Sequence, residues 1–361
     1  MVDFDALEAA GIANARGRAA LIDYLNKLGF SADEMVEAER RGRLFGLAGD
    51  ALQGPGRPIY SLRTAADALG VSLPEVATAW TALGLTIADP DALTLSQLDV
   101  DGLSTWVAIK ELVGDEPALA FLRTLGNAMA RVAEAGGTMV RMAQPDLLMA
   151  ISNDELTTAM AYREITEITQ TFGVLIDAVF RQHIISARTH FEGVITDASA
   201  NVVCGVGFAD LTGFTQLTQV MDPTDLLDLL MEFGGSVSDI VHTDGGRVVK
   251  FIGDEVMWVT STPELLVKVA IDLVEHPRAR ETGLKVRAGL GYGSVLGIYG
   301  DYFGNPVNLA ARLVAAAAPG QILASSDVRD QLPEWPAIPQ EPLTLKGFDE
   351  PVTAYDLHLA R

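Results

Sequence analysis

The sequence has a single cysteine, Cys204, among 361 residues. That excludes an internal disulfide framework, and one thiol in a chain of this size points to a reducing compartment. Positive charge is also scarce: 26 Lys plus Arg against 48 Asp plus Glu give a net charge of −22. The imbalance is shared, with −12 over residues 1–200 and −10 over the remainder, so no basic domain hides in an acidic whole. Nucleic acid and anionic membrane surfaces are poor partners for such a field. No apolar run reaches the roughly 18 residues of a membrane span. The N-terminus carries Asp3, Asp5 and Glu8 with no basic stretch, unlike a secretory signal. A cytoplasmic protein with no membrane span and no nucleic-acid partner is the expectation. There is no internal repeat and no low-complexity tract. What the chain does have is apolar mass, 49% of its residues. Its length suits about two domains of roughly 100–200 residues.

The pattern changes character near residue 195. Before it, the chain reads as helices. Asn14–Leu28 is periodic and ends at Gly29, and Ser31-Ala32-Asp33-Glu34 opens a second helix with a capping-box pattern. Tyr60–Leu85 places two short helices around Gly70-Val71-Ser72, with Pro74 at a helix start. A DNA-reading helix needs Arg, Lys, Asn or Gln on its face. Residues 74–83 carry none, and Glu75 and Trp80 instead, so the pair is expected to be structural. Asn153–Phe191 reads as one or two long helices, with apolar residues three or four apart and a bend at Gly173. It suits either a linker with a dimer seam or a helix packed on its own domain.

After residue 198, strands and helices alternate: Val202–Ala209, a helix Pro223–Thr243, a hairpin Gly246–Ile252 and Val256–Thr260, a helix Pro263–His276, a strand Leu284–Tyr292, a helix Val307–Ala317, and strands Gln321–Ser325 and Val352–Leu359. The order β-α-β-β-α-β is that of a ferredoxin-like palm with additions. The expected organisation is an all-α N-terminal domain, 1–152, a helical linker or dimerisation segment, 153–197, and an α+β domain, 198–361.

Two carboxylates stand out. Asp210 falls where an apolar strand ends, in Phe208-Ala209-Asp210-Leu211-Thr212-Gly213, and Asp254 sits in the turn of the hairpin Lys250-Phe251-Ile252-Gly253-Asp254-Glu255. Alone, either reads equally as a turn or cap residue. Together on neighbouring strand ends they can hold Mg²⁺, which takes oxygen ligands and keeps positions for phosphate.

The stretches F-A-D-L-T-G-F-T, G-G-R-V-V-K-F-I-G-D-E and D-Y-F-G-N-P-V-N-L-A-A-R, in that order over about Val202–Leu359, resemble the class III nucleotidyl cyclases. The resemblance implies the class III cyclase fold and a homodimer whose active sites lie at the interface. It implies two Mg²⁺ or Mn²⁺ per site on Asp210 and Asp254, with the Leu211 carbonyl. It gives Lys250 and Asp301 to adenine, Asn308 and Arg312 to the ribose and the transition state, and Arg287 and Lys346 to the polyphosphate. ATP would be converted to 3′,5′-cyclic AMP and pyrophosphate.

The residues themselves agree. Asn308 and Arg312 are four apart on one helix face. Arg offers a rigid fork of donors to phosphorus oxygens, although Arg312 alone also reads as a surface arginine. Lys250 between Val249 and Phe251 reads as an alternating strand residue, and Asp301 after Gly300 as a turn residue. A donor and an acceptor together match the adenine edge, whereas guanylyl cyclases of this family typically carry Glu and Cys there. Arg287 precedes a glycine-rich run, Gly289–Gly297, suited to close backbone approach to phosphate. Lys346-Gly347 also reads as a plain turn, and Cys204 as core.

Residues 12–195 resemble, more loosely, the helical autoinhibitory half of soluble mycobacterial pH-responsive cyclases, through S-A-D-E-M, Y-S-L-R-T-A-A-D-A-L-G-V and R-Q-H-I-I. A proton or a fatty acid is the effector this implies. His183, near the end of the long helix, is a pH-switch candidate beside the simpler reading of a solvated histidine. Other readings are a guanylyl cyclase, a diguanylate cyclase, whose G-G-D/E-E-F run is missing, and a nucleotide-sensing, non-catalytic regulator with a DNA-binding N-terminal domain.

Overall fold

Serines at helix starts organise the first half of the chain. Ser31, Ser61, Ser72 and Ser96 each accept a backbone N–H three residues on, while Glu34, Thr64, Glu75 and Asp99 reach back to the serine N–H. Each such box satisfies two orphaned donors at a helix end. A computed structural model describes residues 2–142, 154–191, 201–219, 221–276 and 284–357. The expected boundaries at 152/153 and 197/198, and the end of the last strand, lie outside them. The chain divides into two compact units, Met1–Gln182 and His183–Arg361.

The first unit contains α1 (Phe4–Ala10), α2 (Ala19–Lys27), α3 (Ala32–Arg40), α4 (Leu47–Gln53), α5 (Leu62–Leu69), α6 (Leu73–Ala82), α7 (Gln97–Val113), α8 (Asp115–Met142) and α9 (Glu155–Thr169), and most of α10 (Phe172–Phe191). The helix expected from Asn14 begins only at Ala19, because Asn14 takes a left-handed conformation (φ 50°) that interrupts it. α5 and α6 turn about Gly70 and bury Leu62, Ala65, Ala66, Val76 and Ala79 against Leu103 and Trp106 of α7 and Leu122 of α8. The pair is seated in the core of its own unit.

The long helical segment divides. Thr169 Oγ1 donates to the Thr166 carbonyl (2.6 Å) and Thr171 Oγ1 to that of Ile168 (2.7 Å). The break falls at Gln170 and Thr171, while Gly173 lies inside α10. α9 packs on its own unit: Ala159 joins the core of α1 to α4, and Arg18 donates to Glu39 (2.7 Å) and Glu155 (2.5 and 2.7 Å). α10 instead exposes Val174, Leu175, Val179, Phe180, Ile184 and Ile185.

The second unit is built on one sheet. Its elements are β1 (Asn201–Thr212), α11 (Phe214–Thr218), α12 (Pro223–Thr243), β2 (Arg247–Ile252), β3 (Glu255–Thr260), α13 (Pro263–Val274), β4 (Lys285–Ile298), β5 (Asp301–Phe303), α14 (Asn305–Ala316), β6 (Ile322–Ser325), α15 (Ser326–Gln331), β7 (Ile338–Pro339) and β8 (Ala354–Asp356). The strand order is β2-β3-β1-β4-β6-β8-β7, with β5 paired to β4. Among the described strands, only β4 and β6 pair in parallel. Trp258, Leu266 and Ala270 fill the core on one face, under α12 and α13. Cys204, Val206, Met257 and Tyr302 fill the core on the other, under α14. The palm expected from the sequence is present, with β1 and β4 longer than the pattern predicted.

The glycine run of β4 serves packing. A Cβ at Gly289 would lie 2.3 Å from the Ala310 carbonyl oxygen and the Val314 nitrogen, and one at Gly291 2.4 Å from the Pro306 carbonyl oxygen. The backbone these glycines admit is that of α14, not a phosphate, which corrects the expectation.

Candidate functional site: carboxylates, a Lys–Asp pair and a helix face

Three groups of residues gather on this frame. The first lies at the end of β1. The register Asp210↔Arg287 sets these two residues side by side, and Arg287 Nε and Nη2 both donate to Asp210 Oδ2 (2.9 and 2.6 Å). Its Nη1 donates to the carbonyls of Ala315 and Ala317 (3.1 and 3.3 Å), which fixes the guanidinium from behind. The hairpin turn places Asp254 near enough to Asp210 for the two charges to interact. Burial, and then the Asp210 charge, push Asp254 up to about 6. Burial and both aspartates push Glu255 up to about 7. Glu255 is a neighbour that the sequence reading did not assign; its only signal was an acid at the start of an apolar strand.

Three acids against one guanidinium leave this corner short of positive charge, and all the donors are hard oxygens. That set fits Mg²⁺ or Mn²⁺. Asp210, Asp254 and the Leu211 carbonyl are the ligands the sequence nominated. Among the described residues no three His, Cys, Asp or Glu side chains are grouped so as to hold a metal ion by themselves.

The second group is Lys250 and Asp301, whose side chains form an ion pair between Nζ and Oδ2. Asp301 is not a turn residue: it opens β5, and its Oδ1 accepts the Tyr302 N–H (2.8 Å). Lys250 does not alternate regularly either. The β2–β3 register runs Arg247↔Val259, Val248↔Trp258 and then Lys250↔Met257, so Val249 is an extra residue, a β-bulge.

The third group is on α14. Asn308 and Arg312 are exposed on one face of it, and Arg312 Nε donates to the Lys346 carbonyl (3.0 Å), which brings the Lys346-Gly347 turn beside that face. Close contact with β4 at Gly289 and Gly291 holds the helix there. Among the described residues, no hydrogen bond or ion pair links Asp210 or Asp254 to Asn308 or Arg312. His183 is exposed on α10 and belongs to none of the three groups.

A chain with strand-end acids, a Lys–Asp ion pair and an Asn–Arg helix face on a β-α-β-β-α-β sheet has the construction of a nucleotidyl cyclase. It belongs to that family: residues 197–358 match the adenylate and guanylate cyclase catalytic domain, and residues 4–187 match the adenylate cyclase regulatory domain. An uncharacterised protein of Mycobacterium tuberculosis is 64% identical over 357 residues, covering 99% of this chain and 94% of its own. A pH-sensitive adenylate cyclase of the same species is 29% identical, over 91% of this chain and 83% of its own. An adenylate cyclase of Streptomyces coelicolor is 31% identical, over 76% and 71%. The solved adenylyl cyclase CyaB of P. aeruginosa aligns with 45% of this chain and 96% of its own, at 28% identity and a TM-score of 0.41.

Proposed function

We propose that the protein is an adenylyl cyclase that converts ATP to 3′,5′-cyclic AMP and pyrophosphate. The observation that carries this reading is the Lys250–Asp301 pair, an ammonium donor and a carboxylate acceptor side by side. Adenine offers an N6 amino donor and ring-nitrogen acceptors, which this pair complements, while guanine reverses the pattern. Two relatives named as adenylate cyclases support the choice of ATP.

In the reaction the ribose 3′-hydroxyl attacks the α-phosphorus in line and pyrophosphate leaves. Two Mg²⁺ or Mn²⁺ held by Asp210, Asp254 and the Leu211 carbonyl would lower the pKa of that hydroxyl and neutralise the triphosphate. Asn308 orients the ribose. Arg312 places fixed donors on the charge that develops at phosphorus, worth several kcal/mol when such donors are preorganised. Arg287 and Lys346 hold the leaving polyphosphate; Arg287 is already anchored by two carbonyls, so only part of its fork must turn.

The active form is a homodimer with shared sites. One protomer supplies the carboxylates, and its partner supplies Lys250, Asp301, Asn308 and Arg312. The exposed apolar stripe of α10, a surface of the kind that pairs helices, supports the dimer. We place the enzyme in the cytoplasm: no helix among the described residues is long and apolar enough to cross a membrane. Regulation falls to the N-terminal domain, with a proton or a fatty acid as effector and His183 as the candidate proton site.

Cyclic nucleotide formation by the full chain, from ATP and from GTP with Mg²⁺ or Mn²⁺, tests the reading. Cyclic AMP is expected, with GTP a poor substrate, and cyclic GMP formed in excess of cyclic AMP would sink the assignment. Mixing Asp210→Ala with Arg312→Ala protein should restore part of the activity lost in each; no recovery in proven heterodimers refutes the shared site. A pH–activity profile unchanged in His183→Ala removes that residue from regulation.

A further inference from the structure

The hairpin that carries Asp301 is fastened by more than its own strand. β4 and β5 meet at Tyr299 and Gly300, both at positive φ (56° and 74°), the turn form that matches strand twist. The register Gly297↔Tyr302 and Ile298↔Asp301 sets both residues against the end of β4. Tyr302 turns inward among Cys204, Val206 and Met257 and is only 4% exposed. The Arg247 guanidinium lies 5.5 Å from its ring centroid and donates from Nη2 to its hydroxyl. Burial raises the Tyr302 phenol above its ordinary range, so the acceptor is a neutral hydroxyl.

Arg247 and Lys250 are three apart on β2, and regular alternation would put them on opposite faces. The extra residue Val249 cancels that: Arg247 stands opposite Val259 and Lys250 opposite Met257, both in the core that holds Tyr302. Two contacts therefore run in parallel between β2 and β5, Arg247 to Tyr302 and Lys250 to Asp301. The two acceptors are adjacent in sequence, and the Tyr302 N–H itself fixes Asp301 Oδ1.

We propose that Arg247 and Tyr302 are positioning residues that set purine specificity: they fasten β5 to β2 and so hold the Lys250–Asp301 pair in the geometry that reads the base. The proposal rests on the reading of Lys250 and Asp301 given above. Neither residue touches substrate. Loosening the fastening lets Asp301 drift from Lys250, which weakens binding of the matching base and relaxes rejection of the wrong one.

The test is the KM for ATP, kcat, and the inhibition constant of GTP, measured on the full chain for Tyr302→Phe, Arg247→Met and Arg247→Lys. Tyr302→Phe removes one hydroxyl and keeps the ring, so it is expected to fold even where Arg247→Met does not. Loss of a hydrogen bond to a charged group predicts a rise in ATP KM of about tenfold. kcat should change less, and GTP inhibition should hold or strengthen, so discrimination falls by a similar factor. Arg247→Lys, which keeps a donor, should recover part of it. If Tyr302→Phe changes ATP and GTP in parallel, or neither, the contact is merely structural and the proposal is overturned. Lys250→Ala and Asp301→Ala separate the two ideas. If these leave discrimination intact, the base-reading assignment fails and takes the proposal with it. If they abolish discrimination while Tyr302→Phe does not, the positioning role alone fails.

Discussion

At the scale of the residue, burial decides which groups react. Cys204 is fully buried and its thiol is pushed up to about 12, chiefly by desolvation. It should resist a thiol reagent such as dithionitrobenzoate at neutral pH in the folded chain and react fully in denaturant; fast labelling of native protein would contradict its place in the core. Asp254 and Glu255 bind protons more tightly folded than unfolded, with folded values of about 6 and about 7. Between about pH 4 and about pH 7 the folded state thus holds more protons, and stability falls as pH rises through that window. In chelator, the melting temperature should climb as pH is lowered from 8 to 6, and less steeply in an Asp254→Asn, Glu255→Gln double variant. Equal slopes would show that the two acids are solvated. Asp210, Asp254, Asn308 and Arg312 were legible in the sequence because each occupies a local signature: a strand end, a turn, one helix face. Arg247 and Tyr302 were not. Their meeting depends on a bulge and a hairpin 55 residues apart, and no local pattern encodes that distance.

At the scale of the element, the seat of α14 on β4 has little tolerance. Gly289→Ala would put a methyl group 2.3 Å from two backbone atoms of the helix, with no flexible side chain to yield. A loss of about 1–3 kcal/mol is expected from such overpacking. Because the helix carries Asn308 and Arg312, kcat should fall more than KM rises; activity and stability equal to the parent would show that the helix can slide. In the first unit, Arg18 joins α2 to α3 and α9 through two half-buried carboxylates. Arg18→Ala should cost about 2 kcal/mol, the range of hydrogen bonds to charged groups. It should also raise hydrogen exchange across residues 155–169, whereas unchanged protection there would mean that apolar packing alone seats the helix. Helix existence and the capping boxes were readable because they depend on spacings of three and four. The break at Gln170 was not, because threonine hydroxyls turned onto nearby carbonyls make it, and glycine was the more conspicuous residue. The glycines of β4 were noticed, yet the neighbour they admit is a helix that sequence alone could not bring alongside.

At the scale of the whole molecule, the order of elements was readable in the second unit, since an apolar alternation that switches period marks each strand and helix. The sheet's connectivity followed from that order, whereas the two-part fate of residues 155–191 needed tertiary contacts. In the proposed homodimer, α10 is the surface on which assembly turns. Phe180→Glu together with Val179→Glu should lower the sedimentation coefficient toward that of a single chain and reduce activity at low protein concentration. A variant that remains a fully active dimer would move the interface elsewhere. That stripe has a further consequence in a living cell. If the proposed dimer covers it, a freshly synthesised chain displays it until it meets another, and exposed apolar helices are what chaperones and proteases recognise. Chains made slowly would be cleared before pairing, while chains made in a burst would survive. The cell's output of second messenger would then climb more steeply than the rate of synthesis, a threshold written into the face of one helix.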